Sequence, residues 1–193
     1  MATGRRSSWV RALLAVFLLP ILIGGVILLV AGRPLAFDVV RRMTARKFPQ
    51  VEWIGAEELA RWREDPRGPR PVVLDARTAE EYAVSHLRDA VRIDPYQPSL
   101  QPLQGFPQDT AIVVYCAVGY RSARVAHFLG RQGYGNVYNL DGSLFRWANQ
   151  GRPIFRDGQP AALVHPYDRL WGLLLASDYR ARVPEVERRS AAP

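Results

Sequence analysis

Short apolar runs recur along the middle of this chain, at residues 72–74, 90–93, 112–115 and 137–140, each bounded by turn residues. The runs have the length of strands, and they alternate with stretches at 56–63, 79–85, 122–132 and 143–149 that have the spacing of helices. Strands separated by helices pair in parallel, because each crossover returns the chain to the same end of the sheet. The fold class is therefore α/β: a mainly parallel sheet flanked by helices, five-stranded once residues 51–54 are added. Residues 51–155 suffice for one domain with its own core. In such a sheet ligands bind beyond the carboxyl ends of the strands. Pro66, Gly68, Pro69 and Pro71 mark the loop into the second strand, and the proline-rich residues 94–109 read as a long surface connection.

Cys116 is the only cysteine and follows the 112–115 run directly, ahead of Ala117-Val118-Gly119-Tyr120-Arg121 and a helical stretch from Ser122. One cysteine excludes an internal disulfide and fits a reducing or an oxidising compartment equally. By default, a thiol at the end of a buried strand is a small apolar filler. Its neighbours point elsewhere. Gly119 can take the positive φ of a tight loop, Arg121 brings a cation, and the loop N–H groups and the positive end of the next helix would converge on the sulfur. Each favours thiolate over thiol, and a thiolate held this way is a nucleophile.

Asp75 and Arg77 read as a structural ion pair that fixes a loop. His86 reads as a turn or core hydrogen-bonding residue, His127 as a packing residue, and Trp147 as the anchor of the last helix. Histidines at 86, 127 and 165 with a single cysteine give no metal-ligand spacing, and no Gly-rich phosphate loop is present, so neither a metal nor a cofactor is expected.

The stretch Cys116-Ala-Val-Gly-Tyr-Arg121 resembles the catalytic loop of the rhodanese-like sulfurtransferases, which often reads C-x-x-G-x-R before its helix. Upstream, Val72-Val-Leu-Asp-Ala-Arg77, Glu80-Glu81-Tyr82 and Ser85-His86-Leu87 are similar to the family's D-x-R, E-[FY] and G-H-[IL]-P-G-A stretches. Downstream, Leu140-Asp141-Gly142 with Trp147, Gly151 and Pro153 is similar to its L-x-G-G-x-x-x-W-x-x-x-G-x-P ending. Ser85, Arg88 and Asp89 stand where the family usually has Gly, Pro and Gly, and Ser143 stands for the second Gly of the later motif. These departures predict a changed turn before the third strand and leave the chemistry alone.

The resemblance implies a two-step exchange. The Cys116 thiolate takes the outer sulfur of a small anionic donor such as thiosulfate, holds it as a persulfide, and passes it to a thiol or cyanide-like acceptor. Amides from Ala117, Val118, Gly119, Tyr120 and Arg121 would bind the transferred sulfur as an oxyanion hole binds oxygen, and Arg121 would attract the donor. The related dual-specificity phosphatases and arsenate reductases resemble C-x5-R. Ser122 occupies that last position here, so phosphate or arsenate chemistry ranks below sulfur transfer. The alternative from another class is a membrane-tethered binding or sensing module that keeps the scaffold without turnover. Cys116 together with Gly119 and Arg121 favours the enzyme.

Residues 12–32 carry no charge between Arg11 and Arg33. As a helix, at about 1.5 Å per residue, they would span the roughly 30 Å of a bilayer's hydrocarbon core. An uncleaved single-pass anchor is expected, in the inner membrane if the protein is bacterial. Leu29-Val30-Ala31 is a poor signal-cleavage site. Basic residues on both flanks, Arg5, Arg6 and Arg11 against Arg33, Arg41, Arg42, Arg46 and Lys47, leave the side of the membrane open.

The expected organisation is a basic flank and anchor over 1–32, a basic juxtamembrane linker over 33–50, the domain over 51–155, and a C-terminal extension over 156–193. The extension is expected to hold one helix at 168–182 and a disordered end from Pro184. Residues 1–50 carry eight basic residues against one acidic, whereas 51–155 carry twelve of each, so the net charge of +8 belongs mainly to the membrane flanks. A neutral domain lacks the electrostatic footprint of a nucleic-acid binder. The sequence singles out no protein partner.

Overall fold

The computed structural model describes residues 32–68 and 70–182. Apart from Gly32, the expected anchor lies outside these residues, as does the expected disordered end. Among the described residues no helix is long and apolar enough to cross a membrane. The chain divides into a short unit ending at Ala36 and a main unit from Phe37 onward, which carries the fold and the site.

A helix, α1, covers residues 32–47. It is followed by β1 (Glu52–Ile54), α2 (Ala56–Glu64), β2 (Val72–Asp75), α3 (Ala79–Val84), β3 (Val91–Arg92), β4 (Ile112–Tyr115), α4 (Tyr120–Arg131), β5 (Val137–Leu140) and α5 (Ser143–Asn149). The five strands form one sheet in the order β1-β5-β4-β2-β3, and every pairing is parallel. This is the α/β architecture that the alternating pattern demands.

β4 lies at the centre, buried along its whole length between β2 and β5. Because side chains alternate across a strand, Val113, Tyr115 and Ala117 enter one core with Leu59 of α2 and Leu144, Phe145 and Ala148 of α5. Ile112, Val114 and Cys116 enter the other, with Ala123, Val125, Ala126 and Leu129 of α4. The pleat thus turns Cys116 toward the helix that follows it.

Two expectations are corrected. Residues 33–50 are not a linker: from Phe37 onward α1 packs on the domain, with Phe37 in the first core, Phe48 in the second, and Thr44 buried. A spacing of seven residues puts Phe37 and Thr44 on one helical face, and Phe48 follows four residues on, just past the end of α1, while Arg42 and Arg46 stay exposed.

The C-terminal extension forms no helix at 168–182. It begins with an antiparallel hairpin, β6 (Ile154–Arg156) and β7 (Gln159–Ala161), turned by Asp157 and Gly158 at positive φ. Two short 3-10 turns follow, Trp171–Leu174 and Ser177–Tyr179. Burying Leu175 completely, with Trp171 and Leu174 against the first core, requires the chain to fold back on itself. Gly172 permits this, since a Cβ there would lie 2.9 Å from Pro166 Cβ.

The bend before β3 contains a left-handed residue. Asp89, where the resemblance would put glycine, has φ 56°, a conformation that aspartate tolerates better than most residues.

Candidate active site

The loop after β4 is held from below by β5 and α5. Leu144 and Phe145, at the start of α5, donate their N–H groups to the carbonyls of Cys116 and Ala117 at 3.1 and 3.0 Å. Cys116 N–H donates to Ser143 Oγ at 3.1 Å, and Asn139 Nδ2 donates to the Gly119 carbonyl at 2.8 Å. Ser143 has φ 49°, a cost that glycine would avoid, and its hydroxyl accepts from the backbone N–H of Cys116. The substitution at 143 therefore reaches the Cys116 backbone.

Gly119 is the N-cap of α4 with φ 114°. An added Cβ would meet Trp53 at an ordinary 3.5 Å, so conformation rather than space calls for glycine here.

This backbone aims donors at the sulfur. Gly119 N–H donates to Cys116 Sγ at 3.1 Å, and the Ser122 hydroxyl donates at 3.4 Å. Burial pushes the thiol up, but the Arg121 guanidinium, the Ser122 hydroxyl and N–H, and the Gly119 N–H outweigh it and leave Cys116 below the usual cysteine range. The side chain is only 1 % exposed and yet forms part of a cavity wall. It is a shielded thiol with an approach on one side.

Arg121 does not reach freely into solvent. Its Nη1 and Nη2 donate to Glu81 Oε2 and Oε1, both at 2.7 Å. Glu81 is in turn fixed by a capping box with Thr78 at the start of α3. Burial works against the Glu81 carboxylate, but Arg121 and Arg77 hold it ionised, below the usual range. The expected donor-attracting cation is thus half of a planar, forked ion pair. Its positive end still favours a thiolate.

Asp75 and Arg77 pair in full burial. Arg77 Nε and Nη2 donate to the carboxylate at 2.9 and 2.7 Å, and Nη2 also donates to the Ser85 carbonyl at 2.5 Å. The Tyr115 hydroxyl donates to Asp75 at 2.5 Å and accepts Leu87 N–H at 3.0 Å. This network ties β2 and β4 to the 85–87 turn without touching the sulfur. His86 stacks on Tyr82 and bridges by backbone to Phe155, and Trp147 Nε1 donates to the Pro153 carbonyl.

The cavity against Cys116 measures about 490 Å³. The loop after β4 and the start of α4 supply its floor through Ala117, Val118, Tyr120 and Arg121, while Val40, Met43, Thr44 and Lys47 of α1 and Tyr167 and Trp171 of the extension build its walls. Tyr167 is held at φ 66°, with its ring 4.6 Å from the Arg121 guanidinium carbon. A cavity of about 510 Å³ elsewhere is lined by four arginines, Glu64, Asp89, aliphatic residues and the rings of Trp147 and Phe155, and holds no thiol. No cluster able to hold a metal ion occurs among the described residues.

The family profile described as Rhodanese-like domain matches residues 55–150. A sulfurtransferase of Allochromatium vinosum is 35% identical over 83 residues, covering 43% of this chain and 77% of that protein. The chain belongs to the rhodanese-like family. Other relatives match over a smaller share of their own length. The tRNA uridine(34) hydroxylase of Sodalis glossinidius is 28% identical over 52% of this chain and 29% of its own length. The probable adenylyltransferase/sulfurtransferase MoeZ of Mycobacterium tuberculosis is 29% identical over 52% of this chain and 25% of its own length. Among solved structures, a rhodanese-related protein from Thermoplasma volcanium is 25% identical over 54% of this chain and 97% of that one, with a TM-score of 0.46.

In this rhodanese-like site, reading the sequence missed Glu81 as the partner of Arg121, Ser122 and Ser143 at Cys116, and Tyr167 and the α1 residues in the wall. Only Glu81 left a usable signal, the Thr78-x-x-Glu81 capping box. Ser122 lies in the same loop and helix as Cys116, whereas Ser143, Tyr167 and the α1 residues come from parts of the chain that meet only in the fold.

Proposed function

We propose that this protein is a sulfurtransferase that moves a sulfane sulfur from an anionic donor, such as thiosulfate, to a thiophilic acceptor through a persulfide on Cys116. The observation that carries the reading is the pair of donors on the sulfur, Gly119 N–H and the Ser122 hydroxyl, beside the Arg121 charge. The thiolate attacks the outer sulfur of the donor, the donor's S–S bond breaks, and the electron pair leaves with sulfite. In the second step a thiolate or cyanide attacks the same outer sulfur, and the Cys116 thiolate departs. The loop N–H groups and the α4 N-terminus offset the charge carried by the outer sulfur.

We further propose that residues 12–32 hold the domain at a membrane in a single pass, a reading supported by the length of that uncharged run. Retention in the pellet after alkaline extraction of membranes tests this tether, and release of the full chain into the supernatant rules it out.

The activity is tested by incubating the protein with thiosulfate and weighing it intact. One added sulfur atom, lost on cyanide treatment and never gained by Cys116→Ser, is the expected result. No gain across several donors would leave a tethered binding module, while a phosphorylated substrate trapped by Cys116→Ser would revive the phosphatase reading.

A further inference from the structure

The walls of the Cys116 cavity bear on which sulfur compounds enter it. At about 490 Å³ it lies in the range of pockets that enclose organic ligands of roughly 300–1,000 Å³, far more than a small inorganic anion fills. The side chains facing that space from outside the loop are mostly hydrocarbon, with Val40 and Met43 on α1 and Tyr167 and Trp171 on the extension. Its charged wall residues are Arg121 and Lys47. Arg121 is neutralised pairwise by Glu81, and Lys47 Nζ, on the exposed rim, donates to the Tyr120 hydroxyl at 2.6 Å.

With Cys116 as thiolate, the net charge of Cys116, Arg121, Glu81 and Lys47 is zero. A doubly charged donor such as thiosulfate would lose water on entering and meet only the partial charge of the helix end and loop amides. A singly charged donor with a hydrocarbon tail gives up less hydration and gains burial of its tail.

Resting on the sulfurtransferase reading, we propose that the preferred donor is a monoanionic organosulfur compound. Its outer sulfur meets Cys116, and its hydrocarbon group lies against Val40, Met43 and Trp171. For a thiosulfonate R–SO2–S⁻, the Cys116 thiolate attacks the outer sulfur, the S–S bond breaks, and R–SO2⁻ leaves with the electron pair. Cys116–S–S⁻ remains, and two negative charges stand on each side of the step. For an organic persulfide the leaving group is the thiolate R–S⁻. Neither route needs an oxidant or a reductant.

The test compares methanethiosulfonate, butanethiosulfonate and benzenethiosulfonate with thiosulfate, using the full chain and cyanide as acceptor. The expected kcat/KM rises at least about tenfold from methane to butane, from partial burial of the added methylenes, and the butane value exceeds that of thiosulfate. Met43→Asn, at a position 65% exposed and so free of core-packing demands, is expected to cut the butane-to-methane ratio at least about threefold. A ratio near one, with Cys116 still gaining sulfur from thiosulfate, refutes the hydrocarbon pocket and leaves the sulfurtransferase standing. A steep ratio that neither Met43→Asn nor Val40→Asn changes refutes this wall as the hydrocarbon site. No sulfur gained from any of the four donors removes the underlying reading and the inference with it.

Discussion

Ser122→Ala isolates one of the two hydrogen-bond donors on the sulfur, the side-chain hydroxyl, without disturbing the Gly119 N–H. The hydroxyl lies 3.4 Å from Cys116 Sγ on a residue with no exposed surface. A hydrogen bond to a charged acceptor contributes about 1.5–3 kcal/mol, and this long contact belongs at the lower end. Losing about 1.4 kcal/mol shifts the thiol-to-thiolate ratio about tenfold toward the thiol. A more basic thiolate is also more nucleophilic, by about threefold for that change at a Brønsted coefficient of roughly 0.4–0.5. Below the titration midpoint, alkylation by iodoacetamide should therefore slow only about threefold to fourfold, while the ultraviolet absorbance of the thiolate reports the full change. Alanine is smaller and a better helix former than serine, so the melting temperature should stay close to that of the parent. A titration midpoint that stays put or moves toward acid would show that Ser122 does not stabilise the thiolate, and the account of the site would fail.

Arg77→Met leaves the buried Asp75 carboxylate with the Tyr115 hydroxyl in place of a guanidinium partner and should cost about 3–5 kcal/mol in urea unfolding; a loss under about 1 kcal/mol would contradict the network. Phe37→Ala, at a position 3% exposed, should cost about 3–5 kcal/mol, measured the same way, if α1 is integral to the fold rather than a linker. Gly119→Ala forces φ 114° on an alanine and should cost at least about 1–2 kcal/mol, with a larger fractional loss of sulfur loading than of stability. Because the Cys116 pKa is lowered, persulfide formation should persist to lower pH than for an ordinary thiol and fall as pH drops through the folded value. The same shift stabilises the fold fully above the unfolded thiol's pKa of about 8.5 and fades on acidification. A rate that rises on acidification would exclude the thiolate as nucleophile.

Much of the scaffold was legible because local rules sufficed. The alternating runs gave five parallel strands and four of the helices to within two residues at each end, since a β-branched run and a 3.6-residue period need no distant partner to be recognised. The 168–182 segment misled for the converse reason. Its apolar residues are dense enough for a helix, but a buried Leu175 and the close approach of Gly172 to Pro166 decide its path. The 33–50 segment misled because its basic residues mask the spacing of Phe37, Thr44 and Phe48.

By itself, the sequence determined the α/β order, the placing of Cys116 at the carboxyl end of a central strand, and the need for glycine at 119, because these depend on neighbours along the chain. Only the tertiary structure decided that Arg121 is tied to Glu81 forty residues away, that Ser143 and Asn139 brace the loop, and that α1 and the extension wall the cavity. Those contacts depend on how the sheet brings remote segments to one end. Periodicity encodes which face a side chain takes, but not which distant residue it meets there.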